Sequence, residues 1–361
     1  MAFEVIYHGL AFPAFLLLAA LSLLRFVLYP VLFSPLAQVP KAHWSCGVSP
    51  IWILWARYTN KENRTIGEAH RRYGPIVRLA PNEVSINDME SVKTVYQGGF
   101  DKHQWYSVFN NYGVPNVFSS IYAKHHSIRK RMVSHVYSKS YLHSSAPLAA
   151  QADVILNTRV LPTLETTSHE GQAHQGIDVH SFFAAVAMDF ISAYSFGLQN
   201  SPSFIQQKAY RDHWLGLYRA RKGYSFFSQE LPLLSRLLTL IGPYEIPGGV
   251  RISASAYNLH RDERHFPHAE IWDHTRWLHD NGMDDERQKE MNRQFWGFSS
   301  GGRMCLGSNF AMHEMKLLVA AIYTNYTSHI VDDEGIEPTD GYTSHPTSGQ
   351  LWLRFERIMS L

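Results

Sequence analysis

Cysteine is nearly absent: Cys46 and Cys305 are the only two in 361 residues. Two cysteines cannot build a disulfide framework, and such scarcity fits a reducing compartment, where a thiol stays free to act as ligand or nucleophile. Charge of one sign is also missing. The 33 Lys and Arg against 31 Asp and Glu leave a net +2, and no basic run occurs, so no nucleic-acid partner is expected. Disorder is excluded by the balance of 45% apolar to 18% charged residues. The 20 histidines are scattered, apart from the adjacent His125-His126. Without an H-E-x-x-H run or a Cys/His cluster, a dedicated zinc site is not expected. Internal repeats and low-complexity tracts are lacking too.

What is present begins with one long hydrophobic run. Val5 to Leu24 supplies about 20 residues, enough to cross a bilayer as a helix. Tyr7, His8 and Ser22 are its only clearly polar side chains, and Arg25 closes it. The early charge is Glu4 rather than a positive cluster, and no small-residue cleavage site follows, unlike a secretory signal. Arg25 and Lys41 come after the span, which places the body of the chain on the cytoplasmic side. The alternative is a buried core helix. Pro30, Pro35 and Pro40 predict a break and a stiff connector. The expected division is an anchor over residues 1–29, a connector over 30–45 and one domain over 46–361.

Helical periodicity marks Ile66–Tyr73, Ser91–Tyr96, Ala123–Val136, Ala149–Leu164, Phe182–Phe196 and, in two pieces broken at Lys222-Gly223, Phe204–Leu240. Ile76–Leu79 and Glu83–Ile86 read as a hairpin around Ala80-Pro81-Asn82. Tyr244–Gly249 reads as a turn, Val250–Ser255 and Leu351–Arg357 as strands, and His260–Gln294 shows little periodicity. Ser308 to about Asn325 is the last helix. The fold class is mainly α with small β-sheets.

The strongest chemical signal is Phe298-Ser-Ser-Gly301-Gly302-Arg303-Met304-Cys305-Leu306-Gly307, directly before that last helix. A haem held by a thiolate needs an ionised sulfur near helix N-terminal amides, and Cys305 lies three residues before Ser308. Close approach to a flat porphyrin needs glycine, which Gly301 and Gly307 supply. Arg303 is placed to pair with a propionate, Phe298 to shield the sulfur, and Ala311 to let the helix lie close to the ring. A structural cysteine in a glycine turn is the alternative.

This run, F-x-x-G-x-R-x-C-x-G followed by x-x-x-A, resembles the haem-binding signature of the cytochromes P450. Tyr73–Glu83 resembles the family's first sheet. The basic helix is similar to its W-x-x-x-R helix, with His126 and Lys130 in the places of tryptophan and arginine, and both could bond a propionate. For each, a solvated charged face is the alternative. His260-Arg261-Asp262 and Phe266 through Arg276-Trp277 resemble the segment ending in P-E-R-W, with His274-Thr275 in place of Pro-Glu. The resemblance implies a fungal-type, membrane-anchored haem-thiolate monooxygenase with haem b (iron protoporphyrin IX) and Cys305 as axial ligand of the iron. It also implies an NADPH-cytochrome P450 reductase as partner, a small lipophilic substrate, and single-pass residence in the endoplasmic reticulum membrane.

Two parts of the family pattern are missing. One is the long helix over the distal face with its acid–threonine pair, so no catalytic residue is identified. The other is the E-x-x-R helix. Only 47 positions separate Gly197 from Tyr244, where the family carries well over a hundred more. The sole E-x-x-R string, Glu68-Ala69-His70-Arg71, precedes the first sheet and is read as a chance match on a surface helix. The family's fold is therefore expected in internally truncated form, with a deletion near 240–243. A haem-binding or haem-free remnant, or a membrane-tethered interaction protein without cofactor, are the other readings.

Overall fold

A computed structural model describes residues 2–110, 114–169, 176–223, 239–241, 244–246, 250–278, 284–341 and 343–358. The helices in chain order are α1 (Ala2–Leu23), α2 (Ile51–Tyr58), α3 (Glu62–Tyr73), α4 (Met89–Gln97), α5 (Ala123–Ser134) and α6 (Lys139–Ser144). They continue with α7 (Ala146–Val154), α8 (Leu161–His169), α9 (Val179–Phe196), α10 (Lys208–Gly223), α11 (Ala256–Leu259), α12 (Asp285–Gln294) and α13 (Ser308–Asn325). The strands are β1 (Ile76–Ala80), β2 (Glu83–Ile86), β3 (Ile177–Asp178), β4 (Thr239–Ile241), β5 (Tyr244–Ile246), β6 (Arg251–Ala254), β7 (Tyr326–Asp332) and β8 (Trp352–Arg357). Helix dominates and the sheets are small, as the sequence leads one to expect. The chain divides into two units: Met1–His126 with Gln229–Met304, and Ser127–Ser228 with Cys305–Leu361.

In the first unit α1 does not stop at Arg25. It continues through Leu24–Phe33 in wider π-type turns, past both Pro13 and Pro30. A proline removes one N–H from the ladder, and widened turns absorb the mismatch without ending the helix. Over Pro13–Phe33 none of this apolar helix is buried. The break comes at Ser34, whose side chain accepts from the Leu36 N–H.

The segment expected to be a stiff connector is packed. Leu36, Val39 and Cys46 are buried. Arg78, fully buried, donates to the carbonyls of Pro30, Leu36, Ala80 and Pro81 at 2.9–3.2 Å. Backbone oxygens thus solvate the guanidinium and tie residues 30–36 to β1.

β1 pairs antiparallel with β2, which pairs in parallel with β6. Every residue of β1 and β2 is buried, because both faces are covered. Val84, Ile86 and Ile76 lie in a cluster with Leu36, Val92 and Trp296, while Val77 and Leu79 meet Ile53, Ile66 and Ala69. Such two-sided burial abolishes the polar–apolar alternation of a half-exposed sheet. Within this frame Glu83 accepts from Arg57 and faces Arg251 at 3.6 Å. Burial pushes its carboxyl up, but the two guanidiniums overcome that and hold it below the usual carboxylate range.

Three expectations need correction. Tyr244–Ile246, expected in a turn, is a strand paired antiparallel with Thr239–Ile241, so the helix expected to reach Leu240 does not. The rest of that expected helix, and Pro247–Gly249, lie outside the described residues. Asp285–Gln294, where little periodicity is legible, is helix α12. Only Gln288, Met291 and Gln294 of it are buried, one narrow stripe that a 3.6-residue search for apolar residues misses.

In the second unit β7 and β8 form a hairpin extended by β3, giving the order β3-β8-β7. Its core joins Ile155, Val160 and Leu164 to Phe182, Val186 and Phe190 of α9, with Phe310 and Ile322 of α13. Asp189, buried on α9, accepts from Arg159 and from the Phe204 N–H. Strand β7 follows α13 without a loop and was not legible as a strand.

Candidate functional site

The residues before Cys305 belong to the first unit and are held from several sides. The Trp296 N–H donates to His260 Nε2 at 2.8 Å, and its indole meets Tyr96 edge-on at 4.9 Å. Phe298 is half-buried. Ser299 and Gly301 both take left-handed backbone, at φ +61° and +66°. Such a pair reverses the chain tightly, and at Gly301 a side chain is disfavoured for a second reason. A Cβ there would lie 2.5 Å from the Tyr96 carbonyl oxygen and 2.7 Å from Gln97 Cγ. The close approach that Gly301 permits in this unit is to the C-terminal end of α4.

Arg303 ends the short 3-10 turn Gly301–Arg303. Its Nη1 and Nη2 donate to the carbonyls of Ser120 and Ile121, each at 3.0 Å. Toward the described residues two of its five N–H donors are thereby used and three remain. His126 is buried on α5, its backbone N–H donating to the Tyr122 carbonyl.

In the second unit Cys305 is an exposed free thiol. Its carbonyl accepts from the Ser308 N–H at 3.4 Å as the chain enters α13. Gly307 caps that helix at φ −84° with no side-chain hydrogen bond. Unlike Gly301, it has ordinary backbone, and a Cβ at Gly307 or at Gly302 would meet no atom within 4 Å. Lys130 is half-buried on α5. Phe310, one turn into α13, stacks on Tyr194 at 4.6 Å and fixes the helix on its core.

These residues fit a haem by donor chemistry and by space. The iron needs one soft sulfur from the protein, and Cys305 presents it outward. Glycines with open space beside them, Gly302 and Gly307, are the places where a flat macrocycle can approach the backbone. Among the described residues no three His, Cys, Asp or Glu side chains gather to cage an ordinary metal ion.

Arg276, the arginine that the resemblance sets at the end of the segment 266–277, is held by its own turn. Its guanidinium donates to the carbonyls of His268, Ile271 and Asp273 at 3.1–3.3 Å. Asp273 caps the turn through the Thr275 N–H and hydroxyl, which does the local work of the substituted Pro-Glu. Glu68 and Arg71 are exposed on α3, as expected of a chance string.

Two residues escaped the sequence reading. Lys102 places its ammonium over the rings of Tyr106 and Phe118, at 4.2 and 4.5 Å, and donates to the Phe118 carbonyl. Burial, helped by the nearby Arg303, lowers its pKa to about 8. Glu314 is the only acid in α13, its Oε1 is buried without a hydrogen-bond partner among the described residues, and burial raises its pKa to about 8. A lone acid among Met, Leu and Val is a signal that could have been weighed.

The cytochrome P450 family model matches residues 234–352, which include the whole cysteine loop and α13. The chain is 30% identical over 193 residues to the cytochrome P450 monooxygenase gsfF of Penicillium aethiopicum, covering 52% of this chain and 36% of that protein. It is 27% identical over 194 residues to the cytochrome P450 monooxygenase orf2 of Aspergillus niger, covering 52% and 37%. The matched stretch thus spans little more than a third of these relatives. With the cytochrome P450 monooxygenase ppzE of Metarhizium rileyi it shares 27% identity over 383 residues, 90% of each chain. Over the matched residues the chain is similar to fungal cytochrome P450 monooxygenases.

Proposed function

We propose that this chain is a haem-thiolate monooxygenase of specialised metabolism, in an internally shortened form, which inserts one oxygen atom from O2 into a small lipophilic substrate. The single observation that carries this reading is the uninterrupted run Phe298–Gly307 entering α13, with the thiol of Cys305 exposed. Haem b, once bound, supplies the oxygen chemistry, and sulfur donation from an axial thiolate favours O–O cleavage. The chain's own residues do the rest. Cys305 is the iron ligand, and the N–H groups at the start of α13 stabilise its anionic form. Arg303 offers its three remaining N–H donors to a propionate, with His126 and Lys130 as further donors. Gly301 shapes the turn, Gly307 leaves room at the ring, and Phe298 screens the sulfur from water.

The apolar helix over Pro13–Phe33 anchors the chain in the endoplasmic reticulum membrane as a single pass, with the body in the cytoplasm. There an NADPH-cytochrome P450 reductase supplies electrons. Arg25 lies within that helix and near the rings of Phe26 and Tyr29, a place from which a long cationic side chain reaches the interface.

A catalytically impaired remnant is the second reading, and a specific observation favours it. Only 47 positions separate Gly197 from Tyr244, and the 383-position alignment with the Metarhizium relative covers 90% of this chain, about 325 of its 361 residues, so about 58 aligned positions have no counterpart here. The relative therefore carries residues this chain lacks. Within the chain no acid–alcohol pair is identified to deliver protons at the distal face. Reconstitution with a reductase, beside a version with the missing segment restored, tests both readings. The short chain is expected to consume NADPH with little or no product and the restored one to couple the two. Equal, well-coupled product formation by the short chain would discard the remnant reading.

A further inference from the structure

Within the second unit, α6 and the first turns of α13 are held together by several contacts. Asn309 donates to the Tyr137 carbonyl at 3.2 Å, and the rings of Tyr137 and Phe310 meet edge-on at 6.2 Å. Ser138 caps α6 by accepting the Tyr141 N–H. Leu142 of α6 and Phe310 of α13 are buried in one cluster. His143 follows Leu142, and His313 stands three positions after Phe310. The two imidazoles lie 5.0 Å apart between ring centres, with their planes at 81°. Among the described residues no hydrogen bond reaches either ring.

Two neutral imidazoles carry one acceptor nitrogen each, and an imidazole nitrogen is a ligand for zinc, copper and nickel. When two such nitrogens sit about 2.0–2.1 Å from one tetrahedral ion, the ring centres fall about 5 Å apart. That is the spacing of His143 and His313. The χ2 torsion of histidine is soft, so each ring can turn a nitrogen toward a shared ion without moving its helix. His143 is exposed and His313 half-buried, which gives an ion a way in from solvent. We propose that His143 and His313 form an open site for a divalent ion of the zinc, copper and nickel class, which staples α6 to α13. No third His, Cys, Asp or Glu among the described residues joins them, so water completes the coordination and the ion exchanges readily. Burial, with His143 beside it, lowers the pKa of His313, which favours the neutral ring that metal binding needs. The site uses neither Cys305 nor the haem reading.

Zn2+ is the probe, titrated by calorimetry into the untagged full chain in detergent after its accessible thiols are alkylated. His143→Phe and His313→Phe keep a ring at each place but remove its nitrogens. Each should weaken zinc binding by at least about tenfold, since a lost ligand costs more than a lost outer-shell partner. Combining them should do little further harm, because either ligand alone holds the ion poorly. His143→Glu, which returns an oxygen ligand, should bind zinc at least about threefold tighter than His143→Phe. Saturating Zn2+ should also raise the melting temperature of the unaltered chain and leave that of both phenylalanine variants unmoved. Equal zinc affinity in the unaltered chain and either phenylalanine variant would assign the ion to other histidines and overturn the proposal. No saturable binding by the unaltered chain would overturn it too, leaving the pair as a ring contact alone.

Discussion

Two buried carboxylates, one in each unit, have opposite fates. Glu83 lies between Arg57 and Arg251 under a fully covered sheet and is held below the usual carboxylate range. Glu314 lies on a helix of otherwise uncharged and basic side chains, with Oε1 shut away from water and unbonded. Its pKa is pushed up to about 8 by burial alone. The face of α13 also leaves Met312, Met315, Val319 and Tyr323 about half exposed, a stripe at helical spacing. One region has all the partners its chemistry demands. The other leaves the apolar stripe of its helix exposed and its acid unbonded among the described residues.

The largest expected effect breaks the complete region. Glu83→Gln removes the carboxylate that Arg57 and Arg251 share, leaving Arg57 its ion pair with Glu62, and should cost about 3 kcal/mol in denaturant unfolding of the detergent-solubilised chain. A loss under about 1 kcal/mol would mean that water or other oxygens already serve those guanidiniums.

The incomplete region should respond in the opposite sense. With its folded pKa raised to about 8, Glu314 must be protonated or pay for burial, so its contribution is fully favourable only below the unfolded carboxyl range. That contribution is lost as pH rises from about 4.5 to about 8. Glu314→Gln should remove this slope and stabilise the chain at pH 7 by about 2–3 kcal/mol. Glu83, held low, gives stability above the ordinary carboxyl range that is lost as pH falls through its folded value. Acid should thus weaken one region while relaxing the other, and melts of the two glutamine variants from pH 4 to 8 read the two slopes separately. Identical pH profiles for both would erase the contrast.

The smallest pair sharpens the same distinction inside one loop. Gly301→Ala meets the Tyr96 carbonyl and a left-handed φ, and should lose about 1–3 kcal/mol of stability. Gly307→Ala meets open space at ordinary φ, and should change stability by less than about 0.5 kcal/mol while lowering haem affinity. Haem affinity unaffected in Gly307→Ala would remove that glycine from the cofactor site.

Much of the molecule was legible because its signals are local. The α13 boundaries, the β1–β2 hairpin and the reversal at Gly301 follow from caps, turn residues and glycine chemistry within a few positions. What was not legible depends on distant neighbours. Pro30 reads as a helix break, yet the helix persists and Arg78, 48 residues on, bonds the Pro30 carbonyl. α12 hides because only three of its positions meet other chain segments. Lys102 looks like an ordinary loop lysine until Tyr106, Phe118 and Arg303 are assembled around it. Arg276 is bonded by backbone carbonyls of its own turn, which emerge only when that turn is folded.

The central claim is that Cys305 gives its sulfur to a haem iron, and one spectrum addresses it. The chain is reconstituted with haem, reduced, and exposed to carbon monoxide, beside Cys305→Ala and Cys46→Ala. The unaltered chain and Cys46→Ala should show the red-shifted Soret band of a thiolate-ligated complex, and Cys305→Ala should lack it entirely. A thiolate-type band that survives in Cys305→Ala would contradict the assignment, whatever else the chain binds.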